Sequence, residues 1–111
     1  MSRYSAKLLF QFRESGSHSK RRTCEIRIVQ LIASTKKQAL AFAKRRGEAS
    51  GYHYVNARDR LVYFEFVGVI DLLSMEMLES DQAWFEIKQI RLPMERRSEI
   101  VPDDKKLLAR A

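Results

Sequence analysis

The sequence contains one cysteine, Cys24, two prolines and four glycines in 111 residues. A lone thiol excludes an internal disulfide and suits a reducing compartment. Apolar runs are short, as in Val67-Gly68-Val69-Ile70, so the span of about 20 apolar residues that a bilayer requires is excluded. A secretory leader is not expected either, because the stretch Leu8-Leu9-Phe10 is broken by Gln11 and Arg13. The expected address is the cytosol. Two further scarcities concern charge: residues 1–50 hold only three Asp and Glu, and residues 61–87 hold no Lys or Arg.

What is present fits one domain. Hydrophobic residues make up 45% of the chain, and a chain of this length buries roughly two-thirds of its unfolded surface. The net charge of +7 is unevenly spread, with twelve Lys and Arg against three acids in residues 1–50 and nine against eleven in residues 51–111. Three clusters carry the excess: Lys20-Arg21-Arg22, Lys36-Lys37 and Lys44-Arg45-Arg46. A basic face can meet polyanions, since each neutralised phosphate releases condensed counterions. It can equally meet the acidic face of a second copy.

Tyr4 to Arg13 alternates, with Tyr4, Ala6, Leu8, Phe10 and Phe12 on one side, which predicts a strand with one buried face. Leu9 is the apolar exception on the polar side. Residues 14–23 read as a hairpin connection and Cys24 to Ala33 as a second strand. The apolar positions of that strand change parity near Ile28, so it is either bulged or covered on both faces. Thr35 and Gln38 have capping-box spacing, and Ala39, Leu40, Ala43 and Gly47 make a narrow apolar stripe, which predicts a helix ending near Gly51. Residues 52–59 read as connection. Leu61 to Leu72 is apolar on both faces, the pattern of a central strand. Ala83 to Leu92 reads as the last strand, stopped by Pro93. The expected fold is therefore α+β in the order ββαββ: a four-stranded, mainly antiparallel sheet with one helix packed on one face. Residues 1–92 form the domain, and 93–111 a charged tail, partly helical or disordered, with a short helix over 103–110.

Tyr4-Ser-Ala-Lys-Leu-Leu-Phe10, Cys24-Glu-Ile-Arg-Ile-Val29, Ala33-Ser-Thr-Lys-Lys-Gln-Ala39 and Phe64-Glu-Phe-Val-Gly-Val-Ile-Asp-Leu72 resemble a family of small bacterial domains of unknown function, the forty-two eighty-eight series. The resemblance covers residues 4 to 91. It implies a bacterial, cytosolic, single-domain protein, and it brings no activity or catalytic residue. Lys36-Lys37 stands where the family helix usually begins with acids, and the tail lies outside the pattern.

His18, Cys24 and His53 show no metal-ligand spacing, and no cofactor motif is present. A Cys24 nucleophile would need a neighbouring base, whereas a strand-face cysteine is more simply a small hydrophobe. The sharpest enzymatic pattern is Asp71 with Glu86 and Lys88. If their strands formed a hairpin, two carboxylates could hold Mg²⁺ and the lysine could orient water, as in metal-dependent nucleases. The charged side of an edge strand explains Glu86 and Lys88 as well. For nucleic acid, Tyr4, Tyr52, Tyr54 and Tyr63 are possible stacking platforms, with Lys7, Arg13, Arg27, Lys44 and Arg45 as groove residues. Lys20, Arg21, Arg22, Lys44, Arg45 and Arg46 are the polyanion-binding candidates.

The leading expectation is a non-catalytic protein-interaction or self-association module. A four-stranded sheet with one helix leaves a face uncovered, and Leu61 to Leu72 is apolar on both sides. A homodimer or other protein partner would cover that face through Tyr63, Val67, Val69, Met77 and Trp84. The tail, with Leu107 and Leu108, is the other candidate cover.

Overall fold

The period-two alternation at the start of the chain is realised as a long hairpin. The computed structural model describes residues 1–75 and 84–111. Its elements are β1 (Ser2–Glu14), β2 (Arg21–Ala33), α1 (Lys36–Ala49), β3 (Tyr52–Val55), β4 (Leu61–Met75), β5 (Trp84–Arg91), α2 (Arg97–Ile100) and α3 (Asp104–Arg110). The strands form one antiparallel sheet in the order β3-β4-β1-β2-β5.

The α+β class and the antiparallel sheet agree with the sequence reading, but the sheet has five strands rather than four. The extra one, β3, falls in the stretch whose pattern predicts connection; it pairs with β4 from Tyr52–Phe64 to Val55–Leu61. All four of its residues are exposed, so no burial alternation marks it. β4 is an interior strand, as its two-sided apolar pattern predicts, with β3 and β1 on either side; β1 holds the middle position, and two short helices follow β5.

On one face, Tyr4, Ala6, Leu8 and Phe10 of β1 pack with Val29 and Leu31 of β2 and with Phe64, Val69 and Leu72 of β4. Phe10 stacks on Phe64 at 4.7 Å between ring centroids. Burying a side chain of this size contributes about 1.5–3 kcal/mol. Helix α1 lies over this face. Thr35 Oγ1 accepts from Gln38 N at 3.1 Å, and Gln38 Oε1 accepts from Ser34 N at 2.6 Å. The cap therefore forms as expected, except that the return bond goes to Ser34. The buried stripe is Ala39, Leu40, Ala43 and Gly47. Gly47 is required by proximity: a Cβ there would lie 2.4 Å from Cε1 of Phe66.

The ambiguous strand patterns now have causes. In β2, Val29, Leu31 and Ala33 face α1 while Cys24 and Ile26 face the other side, and the β1–β2 register runs without a shift. Of the two readings of β2, coverage on both faces holds. The irregularities lie between β1 and β4, at Lys7/Leu8 and Leu9/Phe10, where β4 carries an extra residue each time. Each extra residue reverses the alternation, so Phe64, Phe66 and Val69 all join the core beneath α1.

Residues 92–111 pack against both faces. Leu92 takes a left-handed φ of 41° and donates its N–H to Lys20 O at 2.7 Å, which turns the chain off the sheet edge before the buried Pro93. Met94, Ile100 and Val101 then cover Leu9, Cys24, Ile26 and Val67. This second core accounts for Leu9. Gly68 admits the strap, since a Cβ at that position would lie 2.8 Å from both γ-carbons of Val101. Asp103 caps α3 by accepting from Lys106 N at 2.8 Å. The helix packs against β4 and α1, and Leu107, only 1% exposed, joins the first core. Lys44 holds Asp104 at 2.8 Å, and Lys36 Nζ donates to Leu108 O at 3.2 Å. The segment set apart by the sequence as a tail is thus a strap across one face that ends in a helix on the other.

Candidate functional site

Two loops meet at the end of the sheet remote from the start of α1. The β3–β4 turn is fixed by Asn56, whose Oδ1 accepts from Arg58 N at 3.0 Å and Arg60 N at 3.1 Å, with Asp59 at a left-handed φ of 60°. Asn and Asp are favoured in such a turn because their short polar side chains bond to nearby backbone and tolerate that conformation. The β1–β2 loop is tied to β4 by Ser15 N donating to Leu61 O at 2.8 Å, and Gly16 supplies the φ of 79° that the loop needs.

Between the loops lies an open groove of about 710 Å³, walled by Arg13, Arg21, Arg22 and Arg58, with Glu14 as its one carboxylate and Phe12, Tyr54 and Val62 as apolar lining. Two of the arginines are anchored behind the groove. Arg13 grips Glu65 through two hydrogen bonds of 2.8 and 3.1 Å, and Arg22 grips Glu95 of the strap at 2.6 and 2.9 Å. Gln11, fully buried, joins them by donating to Glu65 at 2.8 Å and accepting from Arg22 at 3.1 Å. The Arg13 hydrogen bond holds the Glu65 carboxyl below its ordinary range against the opposing effect of burial, and Arg22 does the same to Glu95. The bond to Glu65 in turn raises Arg13 above its ordinary value. The guanidinium groups of Arg21 and Arg58 have no acidic partner among the described residues.

Beside this groove β3 presents Tyr52 and Tyr54, 50% and 43% exposed. Tyr52 is stacked on Phe64 at 4.9 Å and 28°, and the two tyrosine rings lie 6.2 Å apart. Residues two apart on a strand share a face, so both rings stand on the side of the sheet that carries Phe12 and Phe64.

The remaining sequence candidates are scattered. Tyr4 is buried in the core beneath α1, and Tyr63 lies under Arg13, whose guanidinium carbon sits 4.5 Å from the ring centroid. Lys7 faces Asp71 across the β1–β4 ladder, and Arg27 lies over the rings of Phe10 and Phe64. Lys20 is exposed on the β1–β2 loop. Lys44 is paired with Asp104, Arg45 lies over Phe42, and Arg46 lines a separate hollow with Arg3 and Gln30. The two basic clusters therefore do not share a groove.

Of the interface candidates, Val67 and Val69 are buried at 0% and 2% exposure within the chain's own two cores, and this corrects their assignment to a partner surface. Met77 lies outside the described residues. Trp84 begins β5 opposite Ile28. Asp71 is on β4, whereas Glu86 and Lys88 are on β5, and β1 and β2 intervene. The hairpin that would have united these three does not form; three strand spacings separate the strands, about 14 Å. Cys24 is buried, and burial pushes its thiol pKa up, away from nucleophilic character. His18 is exposed in the β1–β2 loop, and His53 on β3 lies beside Tyr63.

Sequence reasoning missed Arg58, and with it the turn that presents it. Asn56-Ala-Arg-Asp59 between two β-prone runs was the available signal. No helix among the described residues is long and apolar enough to cross a membrane. Neither the curated proteins nor the solved structures contain a match to the chain. Residues 3–84 match the model of a family described as Domain of unknown function (DUF4288), and the chain belongs to that family.

Proposed function

We propose that the domain is a non-catalytic binding module that holds an anionic ligand in the arginine-walled groove. The observation that carries this reading is the division of labour among the four arginines: Arg13 and Arg22 are fixed by Glu65 and Glu95, while Arg21 and Arg58 face the same groove without an acidic partner among the described residues. The sequence leaves two candidate covers for the second sheet face, a homodimer or other protein partner and the chain's own tail. Met94, Ile100 and Val101 pack on Leu9, Cys24, Ile26 and Val67 of that face, so the physical reason for a dimer there falls away.

Heparin chromatography tests the proposal. The wild-type chain is expected to be retained at low salt and released as salt rises, because phosphate-like contacts release counterions. Arg21→Gln with Arg58→Gln should elute at clearly lower salt. The triple change of Lys44, Arg45 and Arg46 to Gln should shift elution less, since Lys44 is already neutralised by Asp104. Elution governed by the helix cluster and indifferent to Arg21 and Arg58 would refute the proposal.

A further inference from the structure

We infer that the anion is a single-stranded nucleic acid, whose bases stack on Tyr52 and Tyr54 while its phosphates are held by Arg21 and Arg58. This rests on the groove being the anion site proposed above. The added observation is aromatic. Tyr52 is held flat against Phe64 at 4.9 Å yet is half exposed, and Tyr54 stands two residues further along the same face with its ring 6.2 Å away and lines the groove itself.

Aromatic ring faces carry the negative part of the ring quadrupole. They repel carboxylates and sulfates that lie over them, and they attract flat π-systems. An acidic peptide or a sulfated sugar can use the two arginines, but its anionic groups gain nothing from the ring faces. A strand of nucleotides satisfies both halves of the surface, since stacking supplies sequence-tolerant affinity and the cationic groove follows the backbone. A duplex keeps its base faces inside its own stack, so a single strand fits this surface better. The immobilised Tyr52 ring also loses little rotamer freedom when a base settles on it.

The test is fluorescence anisotropy with a labelled oligothymidylate of about 12 nucleotides, within the range of about 4–16 that one binding domain covers. Unlabelled inorganic polyphosphate and a blunt duplex serve as competitors. The expected result is binding that the duplex competes for poorly. Tyr52→Ala and Tyr54→Ala should each weaken oligonucleotide affinity about tenfold and leave polyphosphate binding unchanged, while Tyr52→Phe and Tyr54→Phe should keep wild-type affinity. Tyr54→Ala also serves as the control for folding, because Tyr54 does not rest on Phe64. Arg21→Gln and Arg58→Gln should each reduce the slope of log affinity against log salt by roughly 0.7.

If both alanine variants bind the oligonucleotide as the wild type does, and polyphosphate competes at equal phosphate concentration, the groove reads charge alone. The nucleic-acid inference then fails while the anion-binding proposal stands. If neither oligonucleotide nor polyphosphate binds at about 50 mM salt, where phosphate contacts are strong, both fail.

Discussion

Replacing Gly68 by alanine should loosen the strap, and the geometry sets the size of the effect. The new Cβ would lie 2.8 Å from both γ-carbons of Val101 and 3.3 Å from its Cβ. Ordinary carbon contacts are about 3.5–4.0 Å, so the overlap is close to an ångström. Rotating Val101 about χ1 exchanges one methyl clash for another, which leaves displacement of the strap backbone as the relief. Overpacking of this kind costs about 1–3 kcal/mol. Val101→Ala alone removes two carbons from a half-buried side chain and costs about 1 kcal/mol. In the double variant the added methyl at position 68 occupies the space the valine vacates. The cycle should therefore show a favourable coupling of at least about 1 kcal/mol. Urea unfolding followed by circular dichroism reads this directly: with m of about 1–3 kcal/mol per molar, a loss of 2 kcal/mol moves the midpoint by about 1 M. If the two penalties simply add, Val101 is not seated on Gly68, and residues 92–102 do not cover the second face.

Two other outcomes test the same packing. Glu65 and Glu95 both have folded-state pKa values below the ordinary 4.5. The unfolded chain therefore binds more protons in the acid range, and the stability these groups contribute is present above about pH 4.5 and lost as pH falls through their lowered values. Urea midpoints between pH 6 and pH 3 should fall more steeply for wild type than for Glu65→Gln or Glu95→Gln, and identical slopes would show that the arginine pairs do not form. Cys24, fully buried beneath the strap, should react with a thiol reagent such as dithionitrobenzoate only through opening of the structure. The reaction should be faster in Gly68→Ala, and prompt wild-type labelling in native buffer would contradict the burial.

The parts of the fold that were legible in the sequence are those in which one strand face meets one core. Tyr4, Ala6, Leu8 and Phe10 alternate because β1 presents a single row to α1, and the stripe Ala39, Leu40, Ala43 and Gly47 is the matching face of the helix. The two extra residues in β4 blurred its alternation, but its apolar residues on both faces still marked it as an interior strand. Nothing in Tyr52–Val55 alternates between buried and exposed, since all four residues of this outer strand are exposed and it is held by backbone pairing and by the stack of Tyr52 on Phe64. The same limit hid the site. Lys20-Arg21-Arg22 looks like one basic patch in the linear chain, but Arg22 is cancelled by Glu95, 73 residues away, and Arg13 by Glu65, 52 residues away. Pairs at such separations leave no periodic signature, so counting neighbouring charges overstates what a surface can offer an anion. The charge left available to the groove comes from Arg21 on one hairpin and Arg58 on the other, two residues that no run of basic sequence connects. The proposed anion site is therefore a product of the sheet order, which sets β1 between β2 and β4 and so brings the two hairpin ends together, and not of the basic clusters that give the chain its net charge.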